Sequence, residues 1–228
     1  MKTQVLNKYI KAMSIAIIII CIGEFVTMFT FGAFYPGYNQ LKDTMSALGA
    51  SASPASFEMS TWWILMGTFF ILFGITFRKA FDENLSYVKI ASWILILYGL
   101  GEGIGSGAFK ADHIANGYAT SLIIHDTVGG FGVAGILLFP LVMMKIIPKE
   151  GNRAFHRLSK IIFIAGVSMI SLFLFRYLPN KNNFFLVYKG AWQRLFMLNT
   201  YIYITVIAVI MIKNAKIKEN QNTTQEHQ

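Results

Sequence analysis

Ser46, Asp112, His113, His125 and Asp126 supply the parts of an acyl-transfer or hydrolytic site: a hydroxyl nucleophile, imidazoles to take its proton and carboxylates to orient them. A second set, Glu24, Asp43, Glu102, Lys189, Gln193 and Arg194, is suited to holding a polar or charged ligand. No Gly-x-Ser-x-Gly elbow and no His-Glu-x-x-His helix accompanies them. His113, His125 and nearby carboxylates could offer zinc ligands, but without a ligand motif no metal is expected, and no cofactor is indicated. The single cysteine, Cys21, rules out a disulfide framework or a cysteine-based metal site.

What must position these residues is a set of six apolar stretches, roughly 12–34, 60–77, 88–108, 118–146, 158–177 and 192–212. Each is about the length needed to cross a ~30 Å hydrocarbon core. Lipid-exposed backbone has to satisfy its own hydrogen bonds, so the spans are expected to be helices. The predicted fold is all-α: a polytopic transmembrane bundle of six spanning helices over residues 1–213. Asn214–Gln228 and the first ten residues read as polar, disordered ends, and the Asn222-Thr223-Thr224 triplet in the tail is assigned no role. Glu24 interrupts the first apolar stretch and no small-x-small cleavage site follows, so that stretch is expected to stay as helix 1 rather than leave as a signal peptide.

Composition excludes a water-soluble globule, since 55% of the 228 residues are hydrophobic and only 14% charged, with mean hydropathy +0.52. The net charge of +9 does not point to nucleic acid, because the cations are scattered over loops and helix ends with no basic stripe. They report topology instead. Fourteen of the twenty Lys and Arg fall on the side of the N-terminus and six, Lys42, Lys110, Arg176, Lys181, Lys189 and Arg194, on the other. By the positive-inside rule both termini are then cytoplasmic in a multi-pass cell-membrane protein.

With that orientation the ionisable residues within the spans collect in the outer half: Glu24, Glu102, His125, Asp126, Arg176, Lys189 and Arg194. Two compatible readings follow. The acids and bases stitch the outer end of the bundle together, or they wall an outward-facing polar cavity. Glycine at every second position, Gly99 to Gly107, cannot make one smooth helix face and predicts either a bent, partly unwound end beside Glu102 or close approach of neighbouring helices. His125, Gly129 and Gly132 share a face on which a neighbouring backbone can approach. In the first outer loop, Leu41 to Leu48 reads as a short amphipathic helix on the bilayer surface, ended by Gly49 and capping the cavity. Trp62, Trp63, Tyr188 and Trp192 read as interfacial anchors.

The run Asp43-Thr44-Met45-Ser46-Ala47-Leu48-Gly49 with Pro54 after it, Asp112-His113, His125-Asp126 to Gly130, and Lys189-Gly190-Ala191-Trp192-Gln193-Arg194 together resemble a family of prokaryotic membrane proteins, domain of unknown function 998. The resemblance spans helix 1 to helix 6 and implies six helices with no established activity. The Ser46–Pro54 region also looks distantly like the loop of a eukaryotic six-span group of autophagy modulators and lipid-anchor remodelling factors, in which an acidic residue usually stands where Ala47 does here. That likeness implies a lipid-facing role in the outer leaflet.

Three function classes follow. The first is a protein that binds lipid or a small ligand in the outer cavity, with a protein partner or a second copy of the chain also open. The second is an intramembrane hydrolase or acyl-transfer enzyme using the Ser/His/Asp set or a metal. The third is a small transporter with Glu24 and Glu102 as ion sites, disfavoured by inner helix halves almost free of charge.

Overall fold

Every one of the six apolar stretches is helical in the computed structural model, which describes residues 2–114, 117–177 and 184–226. The helices are α1 (Lys2–Ala33), α2 (Ser56–Ala80), α3 (Ser86–Tyr98), α4 (Thr120–Ile146), α5 (Arg153–Leu174) and α6 (Lys189–Glu226). All six are long and apolar enough to span a membrane, and the shortest continuous span, Ser86–Ala108, has 23 residues, about 35 Å of helix. Strands β1 (His113–Ile114) and β2 (Gly117–Tyr118) form a two-rung antiparallel ladder between α3 and α4.

α1 begins at Lys2, and α6 continues through Asn214 to Glu226, where the sequence suggested unstructured ends. Lys11 and Glu219 form an ion pair that ties these two helices together on the side of the termini. Lys181, expected among the outer cations, and residues 227–228 of the tail lie outside the described residues.

Each helix packs on the next, and α6 packs back on α1, so the six make a closed ring. Lipid offers no hydrophobic push between helices, so the ring depends on close packing and internal hydrogen bonds. Its centre is aromatic: Tyr98 meets Phe70 edge-on at 4.8 Å between centroids, and Phe139 meets Tyr203 at 6.0 Å. The tyrosine hydroxyls there are engaged, Tyr98 with Tyr201 at 3.2 Å, Tyr201 with the Met66 sulfur at 3.2 Å and Tyr203 with Ser159 at 2.7 Å.

The alternating glycines resolve into two faces. α3 widens into a π-helical stretch, Gly99–Gly105, before a last turn at Ser106–Ala108, so the outer end is not unwound. Gly99, Gly103 and Gly107 face α2, where a Cβ would stand 2.5 Å from Gly67 O, 2.3 Å from Gly67 Cα and 2.7 Å from Ser60 O respectively. Gly101 and Gly105 face α4, where a Cβ would stand 2.2 Å from Val128 O and 2.5 Å from Val128 Cγ2. α3 is therefore wedged backbone to backbone between two helices, and the widened turn sets Glu102 toward the interior between them.

The first outer loop corrects the expectation of a surface helix. Its regular part is a 3-10 helix, Met45–Gly49, that dips into the bundle with Met45 and Leu48 buried. Gly49 lies under the Trp63 ring, whose Cζ3 would be 2.2 Å from any Cβ there. Apolar Met45 and Leu48 gain more by entering the ring's mouth than by lying on the interface.

Candidate functional site

A cavity of about 280 Å³ opens at the end of the bundle opposite the termini, between α4, α5 and α6, with the π-helical stretch of α3 at its back. Its wall is mostly apolar, built by Val133, Ala134, Leu137, Ile170, Phe173, Leu174, Phe196 and Met197. One end is polar, with Ser46, Glu102, His125, Asp126, Arg176, Tyr177 and Gln193. Gly130, Ala134 and Leu174 line this wall and are exposed, so the cavity is open along the seam between α4 and α5, the least extensive of the ring.

Each polar group is held differently. His125 donates from Nδ1 to Phe109 O at 2.9 Å, because a carbonyl can only accept, which leaves Nε2 as the basic nitrogen. Asp126 accepts from Arg176 Nη2 at 3.2 Å and from Tyr177 OH at 3.0 Å, tying α4 to the turn after α5 at the cavity rim. The Arg176 guanidinium is stacked over Phe173 at 4.1 Å and Tyr177 at 4.6 Å. The Gln193 carbonyl accepts from Met45 N at 2.8 Å, and Ser46 Oγ donates to Thr44 Oγ1 at 3.1 Å. Glu102 accepts no hydrogen bond and makes no ion pair among the described residues; a Cβ on Gly129 would come 2.8 Å from its Oε2.

A small recess behind the cavity shares Ser46, Glu102, His125 and Gln193 with it and is closed by Glu24, Trp63 and Met66. Glu24 is 1% exposed, and its carboxylate accepts from two indoles, Trp62 Nε1 at 2.6 Å and Trp63 Nε1 at 3.1 Å. This corrects the reading of Trp62 and Trp63 as interfacial anchors: their polar edges turn inward because the buried acid needs donors more than the headgroup layer does.

Among the described residues, ionic stitching of this charged layer holds for one pair. Asp126 and Arg176 meet, while Arg194, 6% exposed, is spent on the first outer loop. Its Nε and Nη2 donate to Gln40 Oε1 at 3.0 and 2.6 Å, Nη1 donates to Asp43 O at 2.9 Å and Gly190 O at 3.0 Å, and Nη2 also meets Tyr38 OH. Burial pushes the Tyr38 phenol up from its usual range. The Asp43 carboxylate accepts from Asn39 N at 2.7 Å and does not line the cavity, nor does Lys189. At Gly190 any Cβ would fall 2.2 Å from Asp43 O, so the two stretches that carry the family resemblance in the loop and in α6 are packed backbone to backbone.

Asp112 and His113 do not join Ser46. Asp112 accepts from Ser51 N and Ser51 Oγ, both at 2.7 Å, and pins the first outer loop to the second, between α3 and α4; His113 is exposed in β1. The Ser51 amide holds the Asp112 carboxyl below its ordinary range. Of the acyl-transfer set, Ser46, His125 and Asp126 share the cavity, and the Asp126 carboxylate is engaged by Arg176 and Tyr177. Among the described residues no three His, Cys, Asp or Glu converge to hold a metal ion.

The sequence profile of the family described as protein of unknown function, DUF998, matches residues 18–210, from the middle of α1 almost to the end of the last span. The chain belongs to the DUF998 family. No curated protein and no solved structure matches it. For this DUF998 member the family adds no activity, so function has to come from the site.

Sequence reasoning placed Arg176 in the outer charged layer without a partner of its own and did not see Tyr177, Phe173 or Gly129 as site residues. The signal was there in part: Arg176 has aromatics at i−3 and i+1, a spacing that lets both rings cover one guanidinium.

Proposed function

We propose that this protein binds a membrane lipid, with its headgroup at the polar end of the cavity and an acyl chain along the apolar wall. The observation that carries this reading is the exposure of Gly130, Ala134 and Leu174 in the cavity wall, which leaves the cavity open along the seam between two spans, α4 and α5. A ligand entering there comes from the bilayer, and a pocket apolar along its length and polar at one end matches an amphiphile. The same reading places the termini in the cytoplasm and the cavity in the outer leaflet of the cell membrane, supported by the fourteen-to-six division of Lys and Arg.

The test is native mass spectrometry with lipidomics on the protein purified in mild detergent, beside Ala134→Trp, which fills the mouth. A lipid stoichiometric with the wild type and lost from Ala134→Trp is expected. Equal lipid on both forms means it is annular and ends the proposal.

A second reading, lipid hydrolysis or acyl transfer, has one supporting observation: Ser46 and His125 line the same cavity, and the free His125 Nε2 is the nitrogen a general base needs. Ser46→Ala should then retain lipid while abolishing turnover of it in reconstituted vesicles; unchanged turnover removes Ser46 from any such role. Transport is not favoured, because Phe73, Phe77, Phe139, Tyr203 and Ile207 fill the bundle on the cytoplasmic side of the cavity.

A further inference from the structure

Resting on the lipid reading above, we infer that the headgroup is a zwitterion ending in a primary ammonium, that of an aminophospholipid. The polar end of the cavity is rich in acceptors that have no donor. The Glu102 carboxylate faces the cavity with no hydrogen bond and no ion pair among the described residues, and with Nδ1 committed to Phe109 O the neutral His125 ring has Nε2 as its acceptor. A carboxylate walled by apolar side chains is costly without a cation, and the arginine that lines this end, Arg176, pairs with Asp126 at 3.2 Å and not with Glu102. A primary ammonium brings one positive charge and three N–H donors, which answers both orphan acceptors at once.

A quaternary ammonium does not fit. It has no N–H to give, and the aromatic faces that would otherwise cradle it, Phe173 and Tyr177, are covered by the Arg176 guanidinium at 4.1 and 4.6 Å. An anionic headgroup without an amine would set a second negative charge beside Glu102 and Asp126. The phosphodiester of the zwitterion, in contrast, has a partner: the Arg176 guanidinium lines the same cavity at its rim, where it can be shared between Asp126 and a phosphate. Glu102 and Arg176 thus read the two charges of one headgroup, and His125 takes a further N–H.

The experiment loads the full-length protein in nanodiscs with equimolar phosphatidylethanolamine, its N-methyl, N,N-dimethyl and trimethyl (phosphatidylcholine) forms, and phosphatidylglycerol, all with the same acyl chains. Lipid retained after release is counted by native mass spectrometry. Retention is expected to fall with each methyl and to differ by about tenfold between the ends of the series, the loss of one charge-assisted hydrogen bond. Glu102→Gln should flatten the series while keeping lipid bound. Because the methyl series is read on the wild-type protein, misfolding of that variant leaves the test intact. Equal retention of all five lipids, or preference for phosphatidylglycerol or phosphatidylcholine, overturns the headgroup assignment while leaving the lipid reading standing; retention of none removes the lipid reading itself.

Discussion

Trp62 Nε1 donates to Glu24 Oε2 at 2.6 Å, joining α2 to α1 through a carboxylate that no solvent reaches. Trp63 holds the other oxygen, so one acid in the first span fixes two consecutive indoles of the second. The back wall of the recess behind the cavity depends on that clamp.

Glu24→Gln keeps one acceptor and turns an amide donor against the second indole, while Glu24→Leu leaves both indoles unpaired. With an unsatisfied buried donor costing about 1–3 kcal/mol, melting in detergent should fall by roughly 5 °C for Gln and further for Leu. Equal melting of all three forms would show that the clamp contributes nothing.

Gly129 and Gly130 are neighbours with opposite surroundings. A Cβ at Gly129 would stand 2.8 Å from Glu102 Oε2 and 3.1 Å from Ser106 Oγ, whereas one at Gly130 has nothing within 4 Å. Gly129→Ala is therefore expected to displace the carboxylate and lower lipid retention about fivefold, the equivalent of ~1 kcal/mol, with Gly130→Ala unchanged. The reverse order of the two variants would refute this geometry.

Arg194→Lys removes the planar fork that reaches Gln40, Asp43 O, Gly190 O and Tyr38 from one position. Hydrogen exchange across 38–49 should rise at least tenfold, with a stability loss of about 2–4 kcal/mol. Unaltered exchange there would show that the loop is held by Met45 and Leu48 alone.

The Asp112 staple has a pH sign. Its carboxyl is depressed below its ordinary value of 3.8, first by the Ser51 amide, so its contribution is present above that value and lost as pH falls through the depressed one. Exchange at Ser51 should quicken in the wild type only below about pH 4. In Asp112→Asn it should be faster at neutral pH and indifferent to acid; a wild-type step near pH 6 would point to a different group.

The ring of six helices was readable because hydropathy and backbone satisfaction leave few choices; the alternating glycines left a bent, partly unwound end and close helix approach both open, and only the packing on α2 and α4 decides for the second. The outer polar layer was readable as a layer but not as pairs. Nothing local distinguishes Arg176, which meets a carboxylate, from Arg194, which meets carbonyls and an amide 150 residues away, because both end or open a span. Trp62 and Trp63 were misread for the same reason, since an indole at a helix start suits an interface or a buried acid equally until the depth of Glu24 is known. Met45 and Leu48 were assigned to the surface because an amphipathic turn does not say which side its apolar face will find.

The central claim, a cavity entered from the bilayer between α4 and α5, is tested most directly by photocrosslinking with a phospholipid carrying a diazirine at mid-chain, followed by peptide mapping. Adducts concentrated on Val133–Leu137, Ile170–Leu174 and Phe196–Met197 are expected, and should vanish in Ala134→Trp. Adducts spread over outward-facing positions such as Ile19, Ile22 and Val26 of α1, unchanged by that substitution, would contradict it.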